Sequence, residues 1–290
     1  MNRNLQIGIA LSVLSLTPIS ASFAGDHKHD NAVDDSVISQ QRAALSTNTQ
    51  GAGFGPQSPR NIDDKKGDNR THFSLSPASS QMNLCNIHFH KNAEHAGGEF
   101  ASYAGNGDGK GHNTGYVYSG QLSDSESTPF KEAVCAGKHG GVKVGDTVEF
   151  HYVHSSADIT PGPTLGACLS DANKNPQLRV EAQVFVVVND KSALDANKVN
   201  KVAKQNGLHQ ALNIPSNTGK PVQYLGSTTG PSYNEQGSPL QVTWRVRPNV
   251  EKLDISSLKS WCEDNTFNED HAHGVRNLVT NPALLSPISD

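Results

Sequence analysis

Two short segments of alternating apolar and polar residues carry three histidines, and they constrain the fold and chemistry more than any other part of the chain. The first, Asn-Ile-His-Phe-His, contains His88 and His90, and the second, Val-Glu-Phe-His-Tyr-Val-His, contains Glu149 and His151. Side chains of a strand alternate between its two faces, so the paired histidines of the first segment point the same way, as do Glu149 and His151. Three imidazoles with an open fourth position are typical of a catalytic zinc site.

The surroundings of these histidines fit a metal site better than simple packing. A zinc-ligating histidine usually donates its second N–H to a carboxylate or carbonyl, and Glu149 is placed to accept it from His151. The chain has 13 histidines, so a lone His-x-His pair would be a weak signal. Ordinary packed or hydrogen-bonded histidines are expected at His95, His112, His139, His154 and His209.

The composition favours one mainly β domain. The chain has 290 residues with 26 glycines and 15 prolines, and it shows many strand patterns and few helical ones. Its net charge of −4 predicts no general attraction to nucleic acid or to an anionic membrane. Strands are predicted over 72–75, 82–90, 115–121, 142–154, 177–188 and 240–246, helices over 197–205 and 255–262, and turns over 224–233.

The N-terminus resembles a secretory signal. A short basic start precedes an apolar run from Ile7 to Leu16 that is too short to span a bilayer, and Ser-Phe-Ala precedes Gly25. Residues 1–24 are therefore predicted to be a signal peptide, 25–50 a flexible polar leader and 51–290 the catalytic domain. The mature protein is expected to be soluble, without a membrane anchor, and periplasmic or secreted.

Export makes the cysteines interpretable as disulfide partners. The four cysteines are Cys85, Cys135, Cys168 and Cys262. An even set in an oxidising compartment predicts two disulfides, with three possible connectivities. None of the four forms a Cys-x-x-Cys pair, so a thiolate zinc site has little support.

Four blocks resemble the α-class carbonic anhydrases and follow one another in the order of that family. They are Gln-Ser-Pro-Arg-Asn-Ile at 57–62, His-Phe-His with Glu-His at 88–95, Glu-Phe-His-Tyr-Val-His at 149–154, and Gly-Ser-Thr-Thr-Gly-Pro at 226–231 followed by Val-Thr-Trp at 242–244. The chain departs from the α class in a shorter gap before the first zinc motif, a longer loop between the zinc motifs and an insertion over 232–238. The segment 83–95 is more similar to the delta class. The chain is identified as a delta-class member with an α-like zinc motif.

This resemblance implies an α-carbonic-anhydrase-like domain around a central mixed or antiparallel sheet with few short helices. It also implies the hydration of carbon dioxide to bicarbonate by zinc-bound hydroxide, with Zn²⁺ held by His88, His90 and His151. Glu149 would then orient His151. The expected small-molecule partner is carbon dioxide or bicarbonate, and the oligomeric state is left open.

The resemblance assigns further roles around the metal. Thr228 would accept a hydrogen bond from the zinc hydroxide and donate one to Glu94. Thr229 would lie at the substrate pocket. His72, in a segment faintly similar to the family's shuttle region, is the candidate for proton transfer, a task that histidine side chains commonly perform.

Two alternatives remain at the level of sequence. His88, His90 and Glu94 also match the opening of the cupin motif, in which all three bind iron or manganese, but the expected second motif is absent after Pro161-Gly-Pro. A catalytically silent β protein that binds metal or carbohydrate is the other. Cobalt or cadmium in place of zinc also stays open, because geometry and supply select among similar ions.

Overall fold

The structure, a computed structural model, describes residues 32–289. The predicted signal peptide, residues 1–24, lies outside the described residues. Its strands, in chain order, are Asn83–Lys91 (β1), Ser102–Asn106 (β2), Thr114–Val117 (β3), Thr147–Ser155 (β4), Leu178–Val188 (β5), Val202–Gln205 (β6), Leu208–Ala211 (β7), Val222–Ser227 (β8), Gln241–Val246 (β9) and Glu251–Asp254 (β10). The helices are Asp35–Thr49 (α1), Ala196–Val199 (α2) and Ile255–Glu263 (α3).

A six-stranded mixed sheet forms the centre of the fold. Its strands lie in the order β1-β4-β5-β9-β8, and β10 pairs in parallel with the far end of β5. Every residue of β5 is buried, as its apolar composition predicts for a central strand covered on both faces. The prediction of a mainly β fold around a central mixed sheet with few helices is confirmed.

The pairing of β1 with β4 brings the two histidine segments together. These strands are antiparallel, and their register places His88 opposite His151 and His90 opposite Glu149. Directly paired residues share a face of the sheet, so all four side chains point to the same side. We call this side the site face.

Apolar side chains cover both sides of the sheet. On the site face, Trp244 and Val180 belong to one buried cluster. On the opposite face, Phe89 and Phe150 stack with ring centroids 5.0 Å apart, and Trp261 of α3 packs against both. The alternation of buried aromatic residues with histidines along β1 therefore fixes which side carries the chemistry.

Three of the predicted elements differ from the structure. Of the helix predicted over 197–205, only residues 197–199 are helical, as part of Ala196–Val199, and the chain then enters the β6–β7 hairpin. The reason is its Asn206-Gly207 turn, whose φ angles of 53° and 83° suit a tight two-residue hairpin. The short strand predicted over 72–75 is irregular, whereas the segment predicted as turn-rich begins within β8.

The predicted flexible leader also differs from the structure, because residues 35–49 form α1. The helix is polar on most of its surface, but it buries Ile38 and Leu45. Leu45 joins a small cluster with Val279 and Leu285 near the C-terminus. Tertiary packing thus stabilises a helix whose weak amphipathic pattern did not reveal it.

The four cysteines form two disulfides, Cys85–Cys168 and Cys135–Cys262. This confirms the predicted number and selects one of the three connectivities. Two buried disulfides are typical of proteins outside the reducing cytosol. Within residues 32–289, no helix is both long and apolar enough to cross a membrane.

Candidate metal centre

The three histidines predicted as ligands converge on the site face. One ring nitrogen from each of His88, His90 and His151 lies within 4.8 Å of the other two. The Nε2 atom of His88 is 3.3 Å from the Nδ1 atom of His151, and the three ring centroids are 4.7–5.3 Å apart. This spacing is close to what a tetrahedral ion with Zn–N bonds of about 2.0–2.1 Å requires.

The other nitrogen of each ring is oriented by a neighbouring group. His88 Nδ1 lies 2.6 Å from the Asn86 side-chain oxygen, and His90 Nδ1 lies 3.0 Å from the carbonyl oxygen of Gly274. His90 Nε2 is buried and has no hydrogen-bond partner among the described residues. A buried nitrogen without a partner is costly unless it has a ligand, so the cluster fits a bound cation.

Burial keeps these imidazoles neutral, which metal binding requires. Burial lowers the pKa of His90 to about 3, and burial together with the neighbouring histidines holds the pKa of His88 well below its ordinary value. Burial also lowers the pKa of His151, although Glu149 opposes the shift. The three rings are therefore available as ligands throughout the physiological range.

Glu149 joins the cluster to a second buried histidine. Its Oε1 atom is 2.7 Å from His95 Nδ1 and 3.3 Å from His151 Nε2, while its Oε2 atom accepts hydrogen bonds from the backbone N–H groups of Glu94 and His95. Burial alone would raise the pKa of the Glu149 carboxyl, but the contacts with both histidines outweigh it and hold the pKa well below its ordinary value. Glu149 is thus a buried, ionised acceptor beside His151.

His95 is more than an ordinary packed residue. Its Nε2 atom lies 2.7 Å from the Tyr224 hydroxyl, which donates to Ser58 Oγ at 3.0 Å, and its ring packs edge-on against Trp244. This chain of contacts links the metal cluster to the segment that begins with Gln-Ser-Pro. In the sequence, His95 stands out only because it follows Glu94, whereas its hydrogen-bond partner Glu149 is 54 residues away.

Glu94 is fully buried below the cluster, where its Oε1 atom accepts a hydrogen bond of 2.7 Å from the backbone N–H of Arg276. Burial raises the pKa of this carboxyl, and the hydroxyl of Thr229 is among the groups that oppose the shift. Thr228 instead forms a very short hydrogen bond with Ser238.

Thr228 is therefore hydrogen-bonded to Ser238, within the insertion that the sequence shows over 232–238, in place of the Glu94 partner predicted for it. The hydroxyl of Thr229 is the one that opposes the rise in the pKa of the Glu94 carboxyl. The physical reason lies in the chain's exit from β8, since that strand ends at Ser227 and the alternation of side chains no longer applies. Thr229 is also the more exposed of the two.

His72, the predicted proton-transfer residue, is exposed on the surface. It lines a groove with Leu225, Gln241 and Thr243. Among the described residues, the ring of His88 contacts those of His90, His151 and His273, and His72 is not among its contacts. The role of His72 stays a prediction.

His273 is the functional candidate that the sequence analysis missed. Its ring centroid is 5.6 Å from that of His88 and 5.9 Å from that of His90. Its side chain is 45% exposed and pairs with buried Glu269 at 2.9 Å. The hydrogen bond to Glu269 raises the pKa of His273. The C-terminal tail that carries His273 shows no helix or strand periodicity, because its backbone is irregular and pairs with the edge of β1 only through an isolated bridge at His90.

A family model described as delta carbonic anhydrase matches residues 79–257, more than half of the chain. The match includes the three clustered histidines, Glu94, Glu149 and both threonines. A comparison with curated proteins gives no match.

Three solved structures show remote similarity. A hyperthermostable carbonic anhydrase from an active hydrothermal vent chimney is 14% identical, with 83% of this chain and 92% of that chain covered and a TM-score of 0.28. The α-carbonic anhydrase of Thermovibrio ammonificans, in complex with the inhibitor sulfanilamide, is 18% identical, with coverages of 78% and 84% and a TM-score of 0.26. The α-carbonic anhydrase of Photobacterium profundum is 16% identical, with coverages of 83% and 93% and a TM-score of 0.26.

Proposed function

Because the chain belongs to the delta carbonic anhydrase family, we propose that it hydrates carbon dioxide at a zinc ion held by His88, His90 and His151. The products are bicarbonate and a proton. The observation that carries the proposal is the convergence of three neutral imidazoles, one half-buried and two buried, among which His90 Nε2 has no hydrogen-bond partner within residues 32–289. Zinc in such a site acidifies a bound water to a pKa of about 7, as is established for carbonic anhydrases, and so supplies the nucleophile.

Glu149 fixes the third ligand. An ionised carboxylate 3.3 Å from His151 Nε2 holds the proton on that nitrogen and leaves Nδ1, which faces His88, free to bind the metal. The contact also raises the basicity of the ring. Glu149 is in turn held by His95 and by two backbone N–H groups, so its position depends on β1 and β4 remaining paired.

Thr229 orients the reacting water. Its hydroxyl proton is directed to the Glu94 carboxylate, which leaves the threonine oxygen as an acceptor. An acceptor in this position selects one orientation of a water that donates to it. Glu94 is itself anchored through the Arg276 backbone N–H.

His273 is the group best placed to pass the released proton to solvent. It combines contact with the His88 ring and an exposed surface, and Glu269 favours its protonated form. It takes the role that the sequence assigned to His72. Solvent reaches this side of the cluster directly, so a long internal relay is not required.

The predicted signal peptide and the two disulfides together support action in the periplasm or after secretion. The cupin alternative requires Glu94 as a ligand. In the described residues, however, Glu94 belongs to none of the three groups with metal-binding spacing, and one of its oxygens accepts a hydrogen bond from the Arg276 backbone N–H.

The test is carbon dioxide hydration measured by stopped flow with a pH indicator, alongside the metal content of the same samples. The wild-type chain is compared with His151→Ala and with a matched control, His72→Ala. We expect rapid hydration in the wild type and the control, and loss of activity together with the zinc of the three-histidine cluster in His151→Ala. Zinc in the wild type without hydration would favour a silent metal-binding protein, and iron or manganese would favour the cupin.

A further inference from the structure

A second group of potential metal ligands lies on the surface near the C-terminal tail. One ligand atom from each of Asp108, His112 and His139 lies within 4.8 Å of the other two. The two imidazole rings are stacked, with centroids 3.5 Å apart and planes inclined by 8°. In a tetrahedral shell with zinc bonds of about 2.0–2.1 Å, ligand atoms lie about 3.3–3.4 Å apart, so the three ligand atoms must move closer together and one ring must rotate out of the stack to complete the site.

The loop between β2 and β3 presents two of these ligands in a fixed arrangement. Asp108 Oδ1 accepts hydrogen bonds from the backbone N–H groups of Lys110 at 2.8 Å and His112 at 3.0 Å. Its second oxygen is left available. Gly111 has a φ of 97° and its carbonyl oxygen accepts a hydrogen bond of 2.8 Å from the N–H of Val275, which anchors the loop to the tail.

The ring nitrogens of both histidines are also available. Within residues 32–289, neither the His112 ring nor the His139 ring has a hydrogen-bond partner in the protein. His112 is half-buried, and burial followed by the proximity of His139 lowers its pKa, which favours the neutral ring that can bind a metal. His139 is exposed on a tight glycine turn, where its side chain has room to tilt.

We propose that Asp108, His112 and His139 form a second binding site for a divalent cation of the zinc class. Two imidazole nitrogens and one carboxylate oxygen match the ligands that zinc prefers, and water completes the shell at an exposed site. The site shares no ligand with the three-histidine cluster, so the proposal does not depend on the proposed enzymatic function.

The test counts zinc ions bound per chain by equilibrium dialysis against Zn²⁺ followed by elemental analysis. The full chain is used with His27→Ala and His29→Ala in every sample, because these two N-terminal histidines could bind zinc independently. We expect two equivalents in this background. His139→Ala and Asp108→Asn should each retain one, and the matched control His72→Ala should retain two.

The variant His151→Ala separates the two sites. It should lose the equivalent that belongs to the three-histidine cluster and keep the one that His139→Ala removes. A single equivalent in the background that disappears in His151→Ala would overturn the second site and leave the first intact. Two equivalents in a folded His139→Ala variant, with folding checked by circular dichroism, would overturn it as well.

Discussion

Replacing Glu149 by glutamine tests whether a buried carboxylate beside His151 strengthens metal binding. The substitution keeps the size of the side chain but removes its charge and replaces one oxygen by an amide NH₂ group. Oε2 accepts two backbone hydrogen bonds, and Oε1 faces His95 and His151. If the amide oxygen keeps the backbone bonds, its NH₂ group faces the N–H of His151, and two donors then oppose each other.

The expected cost follows from this arrangement. Loss of an acceptor behind a ligating histidine weakens metal binding by about 10- to 100-fold, which corresponds to about 1.4–2.7 kcal/mol. His95 can adapt because its ring can exchange the proton between its nitrogens and reverse its hydrogen bond with Tyr224. His151 has no such freedom, since its Nδ1 atom must stay unprotonated to bind the metal.

The assay is competition for Zn²⁺ against a chromophoric chelator, with His27→Ala, His29→Ala and His139→Ala present throughout so that only the three-histidine cluster is titrated. The matched control is Glu235→Gln, an exposed glutamate outside the cluster. We expect the control to bind as the parent does. A zinc affinity of Glu149→Gln within threefold of the parent would refute the assigned role of the carboxylate.

Three further perturbations test other parts of the account. Thr229→Ala should lower kcat for hydration, measured by stopped flow, about 100-fold, because the acceptor that orients water is lost. Thr228→Ala should leave kcat within threefold of the wild type, and equal losses in the two variants would contradict the assignment. Cys262→Ser should lower the free energy of unfolding in urea by about 2–5 kcal/mol, because it removes a disulfide between cysteines that are 127 residues apart in the sequence. An unchanged midpoint of the urea unfolding transition would contradict this. Glu269 raises the pKa of His273, so their pair stabilises the fold below pH 6.5 and loses that effect as pH rises through the raised pKa. Glu269→Gln should therefore lower the free energy of unfolding more at pH 5.5 than at pH 9, and a reversed order would refute the pairing.

The parts of the site that lie on regular strands were predictable from sequence. His88 and His90 were assigned to one face of their strand, and Glu149 and His151 to one face of theirs, because strand side chains alternate, and this pattern is local. The same rule placed His154 on the face opposite His151, as the register of β4 does.

The parts that depend on irregular backbone or distant packing were not predictable in this way. The positions of Thr228 and Thr229 depend on the path of the chain after β8, and the position of His72 depends on the irregular segment that carries it. His273 lies in a tail without periodicity that bonds to the edge of β1. The positions of these residues relative to the three-histidine cluster are therefore set by tertiary packing and not by a local sequence pattern.

The most direct test of the central claim is a crystal structure of the zinc-loaded chain with anomalous diffraction at the zinc edge. The account predicts an anomalous peak about 2.0–2.1 Å from His88 Nε2, His90 Nε2 and His151 Nδ1, with Glu94 outside bonding distance. A peak bonded to Glu94 in place of His151, or the absence of any peak between the three rings, would contradict it.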